Sequence, residues 1–341
     1  MSTNGQSNKF KVAVVGRAFG PEAQELIAGV APPEFDLSFS VDTTEGAHHL
    51  IREADFCLVT TAITEKLLQE SPKLRLVHKW GIGVDKIDLV AAEKEGVPVA
   101  ITAGSNAGAV AEHAIMLILA AIRRLSQADR SMRRHEWIYT ELRPLCRKLS
   151  GKTVGILGFG NIGKAVAQRL QGFEVEIIYH DPYRASPEME EKYNARYVSF
   201  DDLIAESDIL TLHCPGGASN HHIINAAAFA RMKPNSFLVN CARGDVVDED
   251  ALVAALQSGK LLAAGLDAFE PEPLSPTSKL TTLENVTLTP HTAGSVLDNV
   301  SAVAEHAFRN MLRTIRGEAI PRSDVVVAPA KPRQFAAGSA G

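Results

Sequence analysis

Short β-branched runs alternate with helical segments along almost the whole chain. They do so in two series, the pattern of parallel sheets covered by helices on both faces. The first series places strands at Lys11–Val15, Leu37–Val41, Phe56–Thr60, Leu74–Lys79 and Pro98–Ile101, with helices such as Pro21–Val30 and Asp88–Glu95 between them. The second begins at Thr153–Leu157 and continues through Val175–His180, Ile209–His213, Phe237–Asn240, Leu262–Leu266 and Val286–Thr289. Two doubly wound α/β units are therefore expected, and 341 residues suffice for each to bury its own core. Between the series lies Ala107–Leu125, apolar round most of its circumference through Val110, Ile115, Met116, Leu117, Ile118, Leu119 and Ile122. Such a helix must be covered on more than one side, by a domain core or by an interface. A last long helix, Ser295–Ile315, is expected to return to the first unit and make it discontinuous.

Composition narrows the class of partner. Hydrophobic residues make up 45% and charged residues 22%, the range of a soluble globular protein. Against 40 acidic residues stand 35 basic ones, a net charge of -5. That is too mild for a steering field and argues against nucleic acid or an anionic membrane as partner. Cys57, Cys146, Cys214 and Cys241 form no Cys-x-x-Cys pair, so neither a zinc knuckle nor a disulfide framework is expected, and a reduced, cytoplasmic setting is. Met1–Asn8 is polar, without the apolar stretch of a signal peptide. Ala114–Ile122, the most apolar run, is too short to span a bilayer. The Ala-, Pro- and Gly-rich tail from Ala328 is expected to be frayed. His48-His49 and His221-His222 invite a metal reading, but no acidic or cysteine ligand pattern accompanies them in sequence. They are read as surface residues, and no metal is expected.

The best-placed motif is Gly158-Phe159-Gly160-Asn161-Ile162-Gly163, between the strand run Thr153–Leu157 and a helical run opening at Lys164. The first glycine makes a tight turn, the second admits a pyrophosphate to the backbone, and the third lets helix and strand pack closely. The helix N-terminus then offers unpaired N–H groups to phosphate. Glycine-rich turns are common. Here, however, an acid, Asp181, stands at the end of the next strand, about 20 residues on, where ribose hydroxyls are bound. A carboxylate there repels a 2′-phosphate, so NAD is favoured over NADP; Arg184 is a nearby cation that could act the other way.

Three charged residues follow strand C-termini, where an open α/β sheet binds ligands. They are Arg243 in Asn240-Cys-Ala-Arg243-Gly244, Glu272 in Asp267-Ala-Phe-Glu-Pro-Glu272-Pro273, and His291 in Pro290-His291-Thr292. A guanidinium beside glycine can grip a carboxylate through two parallel hydrogen bonds. Taken singly, these residues have plain alternatives: a surface ion pair, a solvated loop, a cap. Taken together, guanidinium, carboxylate and imidazole are the set that oxidation of a 2-hydroxy acid requires.

The same motifs, with Gly81-Ile-Gly83-Val-Asp85, Asn106-Ala-Gly-Ala-Val-Ala-Glu112 and His213-Cys-Pro215, resemble the D-isomer-specific 2-hydroxyacid dehydrogenase family from about Lys11 to Ile320. The resemblance extends to its 3-phosphoglycerate dehydrogenases and its glyoxylate and hydroxypyruvate reductases. It implies a Rossmann NAD-binding domain over residues 106–291 and a flavodoxin-like substrate domain from residues 1–105 and 292–341. It further implies hydride transfer between NAD and a small D-2-hydroxy or 2-keto acid in a cleft between the domains. In that reading Arg243 holds the substrate carboxylate, His291 gives or takes the proton, and Glu272 orients the imidazole and favours its protonated form. Gly158, Gly160, Asn161, Ile162, Gly163, Asp181, His213, Pro215, Ala242, Asp267, His291 and Gly294 would contact the cofactor, with Asp267 at its nicotinamide end. Trp80, Gly81, Ile82 and Asn106 would join Arg243 and His291 around the substrate, the glycines leaving N–H groups open to an anion. A homodimer is implied as well.

The chain also departs from parts of that family. The phosphoglycerate dehydrogenases carry an arginine after the third strand, where this chain reads Val59-Thr60-Thr61-Ala62, so a phosphorylated substrate is disfavoured. Phosphite dehydrogenases place a lysine at Ile82, and formate enzymes usually a glutamine at Glu272. Gly-Gly-Ala-Ser-Asn after Pro215 replaces the usual turn and is expected to loosen that loop. Because corepressors on the same scaffold retain these residues, an NAD(H)-sensing binding protein is the alternative to an enzyme.

Overall fold

The computed structural model describes residues 9–335; the expectation for Met1–Asn8 and the end of the tail, residues 336–341, fall outside them. The chain divides into two units. One runs to Asn106 and resumes at Ser295; the other is Ala107–Gly294. The breaks lie one and three residues beyond the expected boundaries. Thr292 and Ala293 donate backbone N–H groups to Asp267 and so stay with the second unit.

In the first unit, β1 (Phe10–Val15), β2 (Phe35–Ser40), β3 (Phe56–Val59), β4 (Leu76–Lys79) and β5 (Val99–Ala100) form a parallel sheet in the order β2-β1-β3-β4-β5. That is the flavodoxin-like arrangement. Successive residues of a strand face opposite sides of the sheet, and here both sides are apolar. Val12 and Val14 pack with Phe19, Ile27, Phe308 and Met311. Ala13 and Val15 pack with Ile51, Leu67, Leu68 and Ala92. Phe308 belongs to the last long helix, Val300–Arg316, and stacks on Phe35 with ring centroids 5.5 Å apart.

The same helix carries a polar contact into the core. His78 on β4 is buried, its Nε2 is 3.2 Å from Asn310 Nδ2, and desolvation pushes its pKa down to about 4, so the ring is neutral. Asn310 also donates to Asp324 at 3.0 Å, and His306 reaches the same carboxylate. Asp324 leads into a strand the sequence reading lacked, Val325–Val327, antiparallel to β5. Beyond it the tail is docked rather than frayed as far as Phe335. Arg333 donates to the carbonyls of Leu68, Ser71 and Glu95, and the Arg75 guanidinium lies 4.4 Å from the Phe335 ring centroid. One guanidinium that satisfies three carbonyls at helix ends outweighs the weak local propensity of the tail.

In the second unit, β6 (Thr153–Leu157), β7 (Glu176–His180), β8 (Ala195–Tyr197), β9 (Ile209–Leu212), β10 (Ser236–Asn240), β11 (Leu261–Leu266) and β12 (Val286–Leu288) are ordered β8-β7-β6-β9-β10-β11-β12 and parallel. This is the 3-2-1-4-5-6 Rossmann order with one strand more. β8 was also missed: it is a three-residue edge strand with exposed Arg196 at its centre. The apolar helix, Ala107–Arg123, lies in the core of this unit, Val110, Ala114, Leu117 and Ile118 packing with Val154, Ile156, Phe237 and Val239. Gly265 permits the close approach, since a Cβ there would stand 2.9 Å from Leu117 Cβ. Among the described residues, no helix is long and apolar enough to cross a membrane.

Candidate active site

The glycine loop leaves β6 at its C-terminal end, and each glycine has a distinct steric reason to be there. Gly158 has φ +92°, and a Cβ would lie 2.6 Å from the Cys214 nitrogen. Gly160 faces open space, which leaves its backbone approachable. At Gly163 a Cβ would come within 2.1 Å of the Gly158 carbonyl oxygen. The helix Asn161–Leu170 starts at this loop, so the N–H groups of Asn161, Ile162 and Gly163, lacking intrahelical acceptors, open towards it. Asp181 follows β7 beside them. Its Oδ2 accepts from Phe159 N–H at 2.8 Å and its Oδ1 from Tyr183 N–H at 2.9 Å, which aims the carboxylate. Arg184 is taken up by Glu190 through two hydrogen bonds of 2.9 and 3.0 Å. Its charge is therefore already compensated, against the role for a 2′-phosphate raised above.

His213 follows β9 across the loop from Gly158. Its Nε2 is 2.9 Å from Thr211 Oγ1, and burial pushes its pKa down to about 3, so the ring is neutral. The loop after Pro215 is not loosened by its glycines. Gly217 N–H donates to Asp245 at 2.6 Å, Asn220 N–H to the Gly217 carbonyl at 2.9 Å, and Asn220 Nδ2 to the Pro215 carbonyl at 2.9 Å. Side-chain hydrogen bonds, accepted by Asp245 and donated by Asn220, replace the missing turn residues.

Arg243 follows β10, where buried Asn240 clamps the strand end. Its Oδ1 accepts from Ala242 N–H at 2.9 Å and its Nδ2 donates to the Arg243 carbonyl at 2.8 Å. Arg243 Nη1 donates to the Ala242 carbonyl at 2.7 Å. Next to it, a Cβ on Gly244 would fall 1.9 Å from the Phe269 carbonyl carbon, so the arginine loop presses directly on the loop that carries Glu272. Glu272 in turn meets His291. Nδ1 of the imidazole is 2.8 Å from both carboxylate oxygens, and Phe269 N–H also donates to Oε1 at 3.2 Å. A proton on Nδ1 is thereby held by Glu272, and Nε2 is left for chemistry; this tautomer is assigned from the bonding partners. His291 has φ +54°, a left-handed backbone that a non-glycine residue keeps only where its surroundings enforce it.

Asp267 is what enforces it. Its buried carboxylate accepts from Thr289 Oγ1 at 2.6 Å, Thr292 N–H at 2.9 Å and Ala293 N–H at 2.9 Å, on either side of His291. His113, from the helix Ala107–Arg123, places Nε2 2.9 Å from Thr289 Oγ1 and 3.4 Å from Asp267 Oδ1. Asn240, His113 and Thr289 were absent from the sequence-derived site. Asn240 and Thr289 had a legible signal, as polar residues ending apolar strands; His113 had none.

On the first unit, Trp80 packs edge-to-face on Phe19 at 5.1 Å, and Lys79 Nζ donates to its carbonyl at 2.9 Å. Gly81 has φ +87°, but its N–H donates to Thr102 Oγ1 at 3.1 Å, and Trp80 N–H donates to Val59. The Gly81 N–H is thus not open to an anion, contrary to the expectation for that glycine, because the turn uses it, with the Trp80 N–H, to hold itself in place. Asn106 is the last residue of this unit, and Gly294 the last of the other. A second correction concerns His221-His222. An acid does accompany them: Glu270 lies within 3.9 Å of both imidazoles, brought there by the fold from a distant part of the chain.

A Rossmann sheet with this glycine loop and aimed acid defines a dinucleotide-binding oxidoreductase scaffold. Residues 115–293 match the family model described as D-isomer specific 2-hydroxyacid dehydrogenase, NAD binding domain. The chain is 40% identical over 278 residues to a glyoxylate reductase from Thermococcus litoralis, covering 80% of this chain and 83% of that one. It is 37% identical over 285 residues to a D-3-phosphoglycerate dehydrogenase from Archaeoglobus fulgidus, covering 81% of this chain but 54% of that longer protein. Among solved structures it resembles the NAD-dependent formate dehydrogenase from Staphylococcus aureus in complex with NAD, with TM-score 0.80 and 27% identity over 94% of this chain and 100% of that one. The chain belongs to the D-isomer-specific 2-hydroxyacid dehydrogenase family. It is an NAD-dependent oxidoreductase of hydroxy and keto acids.

Proposed function

We propose that Arg243, Glu272 and His291 carry the reaction and that the substrate is a small unphosphorylated 2-keto acid, glyoxylate or hydroxypyruvate being the leading candidates. The observation that carries the site assignment is the pair of 2.8 Å contacts from Glu272 to His291 Nδ1. The substrate class follows the names of the glyoxylate and hydroxypyruvate reductases to which the chain is similar. Thr60 and Thr61, where phosphoglycerate enzymes carry arginine, support the absence of a phosphate. The loop Gly158–Gly163 and Asp181 fit an NAD pyrophosphate and ribose, with Ala242, His213, Pro215 and Gly294 proposed along the same edge. Asp267 Oδ2, which accepts the Ala293 N–H, has a further lone pair for a carboxamide donor. Bound NADH supplies the hydride, and NAD takes it up in the reverse direction. Arg243 grips the substrate carboxylate and polarises the keto oxygen. His291, oriented through Nδ1, delivers a proton from Nε2 to that oxygen during reduction and removes it during oxidation. On their own unit, Trp80, Gly81, Ile82 and Asn106 are proposed as substrate contacts.

We further propose a cytoplasmic homodimer. Four unpaired cysteines support the compartment. For the dimer, Met116, Leu125, Met132, Trp137 and Tyr139 expose large apolar side chains within one stretch of the second unit, Trp137 to 79%. The test of function is a panel of glyoxylate, hydroxypyruvate, pyruvate, phenylpyruvate and phosphohydroxypyruvate, followed by NADH absorbance, with wild type and His291→Ala. Turnover of an unphosphorylated member by wild type, with retained NADH binding but lost turnover in the variant, is expected. Equal turnover in the variant removes His291 as proton donor, and a preference for phosphohydroxypyruvate overturns the substrate class.

A further inference from the structure

We propose that His221, His222 and Glu270 form a surface site for a divalent transition-metal ion of the zinc class. The proposal is independent of the catalytic reading. The three side chains offer two imidazole nitrogens and a carboxylate oxygen that all lie within 4.8 Å of one another. Nε2 of His221 is 3.9 Å and Nε2 of His222 3.8 Å from Glu270 Oε2. Zinc binds imidazole nitrogen at about 2.0–2.1 Å and carboxylate oxygen at about 2.0–2.2 Å, which puts neighbouring donors of a tetrahedral ion about 3.3 Å apart. Closing the two Glu270 edges to that figure takes roughly half an ångström each, together with a reorientation of the stacked imidazoles.

The donors are also presented rather than merely adjacent. His222 has φ +50°, and its backbone is held on both sides, its N–H donating to the Asp245 carbonyl at 2.7 Å and its carbonyl accepting from Asn225 Nδ2 at 3.1 Å. The two imidazoles stack with centroids 3.9 Å apart and planes 23° from parallel, which sets both on the Glu270 side, and they must splay to share one ion. His222 and Glu270 line a concavity of about 250 Å³ whose wall also carries Asp248, Glu249 and Asp250, a concentration of negative charge that favours a cation. Two imidazoles with one carboxylate select zinc, cobalt, nickel or copper over magnesium or calcium, which prefer all-oxygen sets. Water would complete the coordination.

The test is calorimetric titration of the untagged full-length chain with zinc chloride, beside His221→Ala and Glu270→Gln, with NADH binding as the check that each variant is folded. One saturable zinc site per chain is expected in wild type, with magnesium chloride giving none. Loss of an outer-shell partner alone costs about 10–100-fold in affinity, so removal of a ligand is expected to weaken binding at least about tenfold in each variant. Copper(II) electron paramagnetic resonance should show two coupled nitrogens in wild type and one in His221→Ala. No saturable binding overturns the proposal. So does an affinity unchanged in both variants, which would send the ion elsewhere, for example to His48-His49 or to His291 with Glu272.

Discussion

Asp267 and Asp324 are both buried carboxylates that approach a histidine, yet they do different work in their two units. Asp267 binds backbone: the N–H groups of Thr292 and Ala293, with the Thr289 hydroxyl beside them. Its effect is to hold one loop, and with it the left-handed His291, in a shape that loop would not keep alone. Asp324 binds side chains of the helix Val300–Arg316, His306 and Asn310, while its own carbonyl accepts from Ile101 N–H at 2.8 Å. Its effect is to pin a whole helix to a sheet edge. The same chemical group thus shapes a loop where its partners are backbone N–H groups of the loop proposed to carry the proton donor, and holds elements together where its partners are side chains of a packed helix.

Breaking the contrast is most informative at Asp324. Removing one partner of a buried pair typically costs about 3–5 kcal/mol, so Asp324→Ala should lower stability by about that amount in denaturant titration. The kcat of the folded fraction should stay near wild type. A collapse of kcat with unchanged stability would reverse the assignment.

Acid should act on the same cluster next most strongly. The folded pKa of His78 is depressed to about 4 by burial, so the unfolded chain binds more protons between about 6.5 and 4, and stability falls as pH falls through that window. Full protonation would cost about 3 kcal/mol. Burial pushes the Asp324 carboxyl up, but its bonds from His306 and Asn310 hold it below the ordinary range. Its contribution is likewise present at neutral pH and lost on acidification. His213 in the other unit adds a loss of the same sign. Melting temperatures from pH 7 to 4.5 should therefore fall, and less steeply in His78→Gln.

At Asp267 the order of effects inverts. Asp267→Asn replaces a double acceptor by a group with one acceptor and one donor, so the loop N–H groups cannot all be satisfied. A drop in kcat of roughly tenfold to a hundredfold is expected, about 1.4–2.7 kcal/mol, with a smaller change in stability. Retained kcat would show that the loop holds His291 without it. The smallest effect should be at the cofactor edge. Asp181→Ser should raise the NADPH-to-NADH ratio of kcat/KM about tenfold, roughly 1.4 kcal/mol, because a repelling charge is removed while Arg184 stays paired with Glu190. No change in that ratio would dissociate Asp181 from the ribose.

Much of the architecture was readable because the signals are local. Short runs rich in β-branched and apolar residues, bounded by turn residues, read as buried strands, so β1 through β7 and β9 through β12 stand within a residue or two of expectation. β8 escaped because Ala-Arg-Tyr, with exposed Arg196 at its centre, carries no apolar pattern, and the strand Val325–Val327 because it lies in a Pro-rich tail and its pairing with β5 depends on residues far away in the chain. The tail failed for the same reason: nothing near Arg333 in sequence announces the carbonyls of Leu68, Ser71 and Glu95.

By itself the sequence determined two α/β units, the dinucleotide loop with its acid, and the chemical inventory of guanidinium, carboxylate and imidazole. Adjacent residues settle strand and helix periodicity, and a glycine's sterics are written in its immediate context. Only the tertiary structure decided that Asp267 braces the His291 loop, that His113 reaches it, that Glu270 meets two histidines and that the Gly81 N–H is already engaged. Each of these is a contact between residues distant along the chain, and hydrogen bonds act over about 3 Å of space regardless of how many peptide units separate the partners.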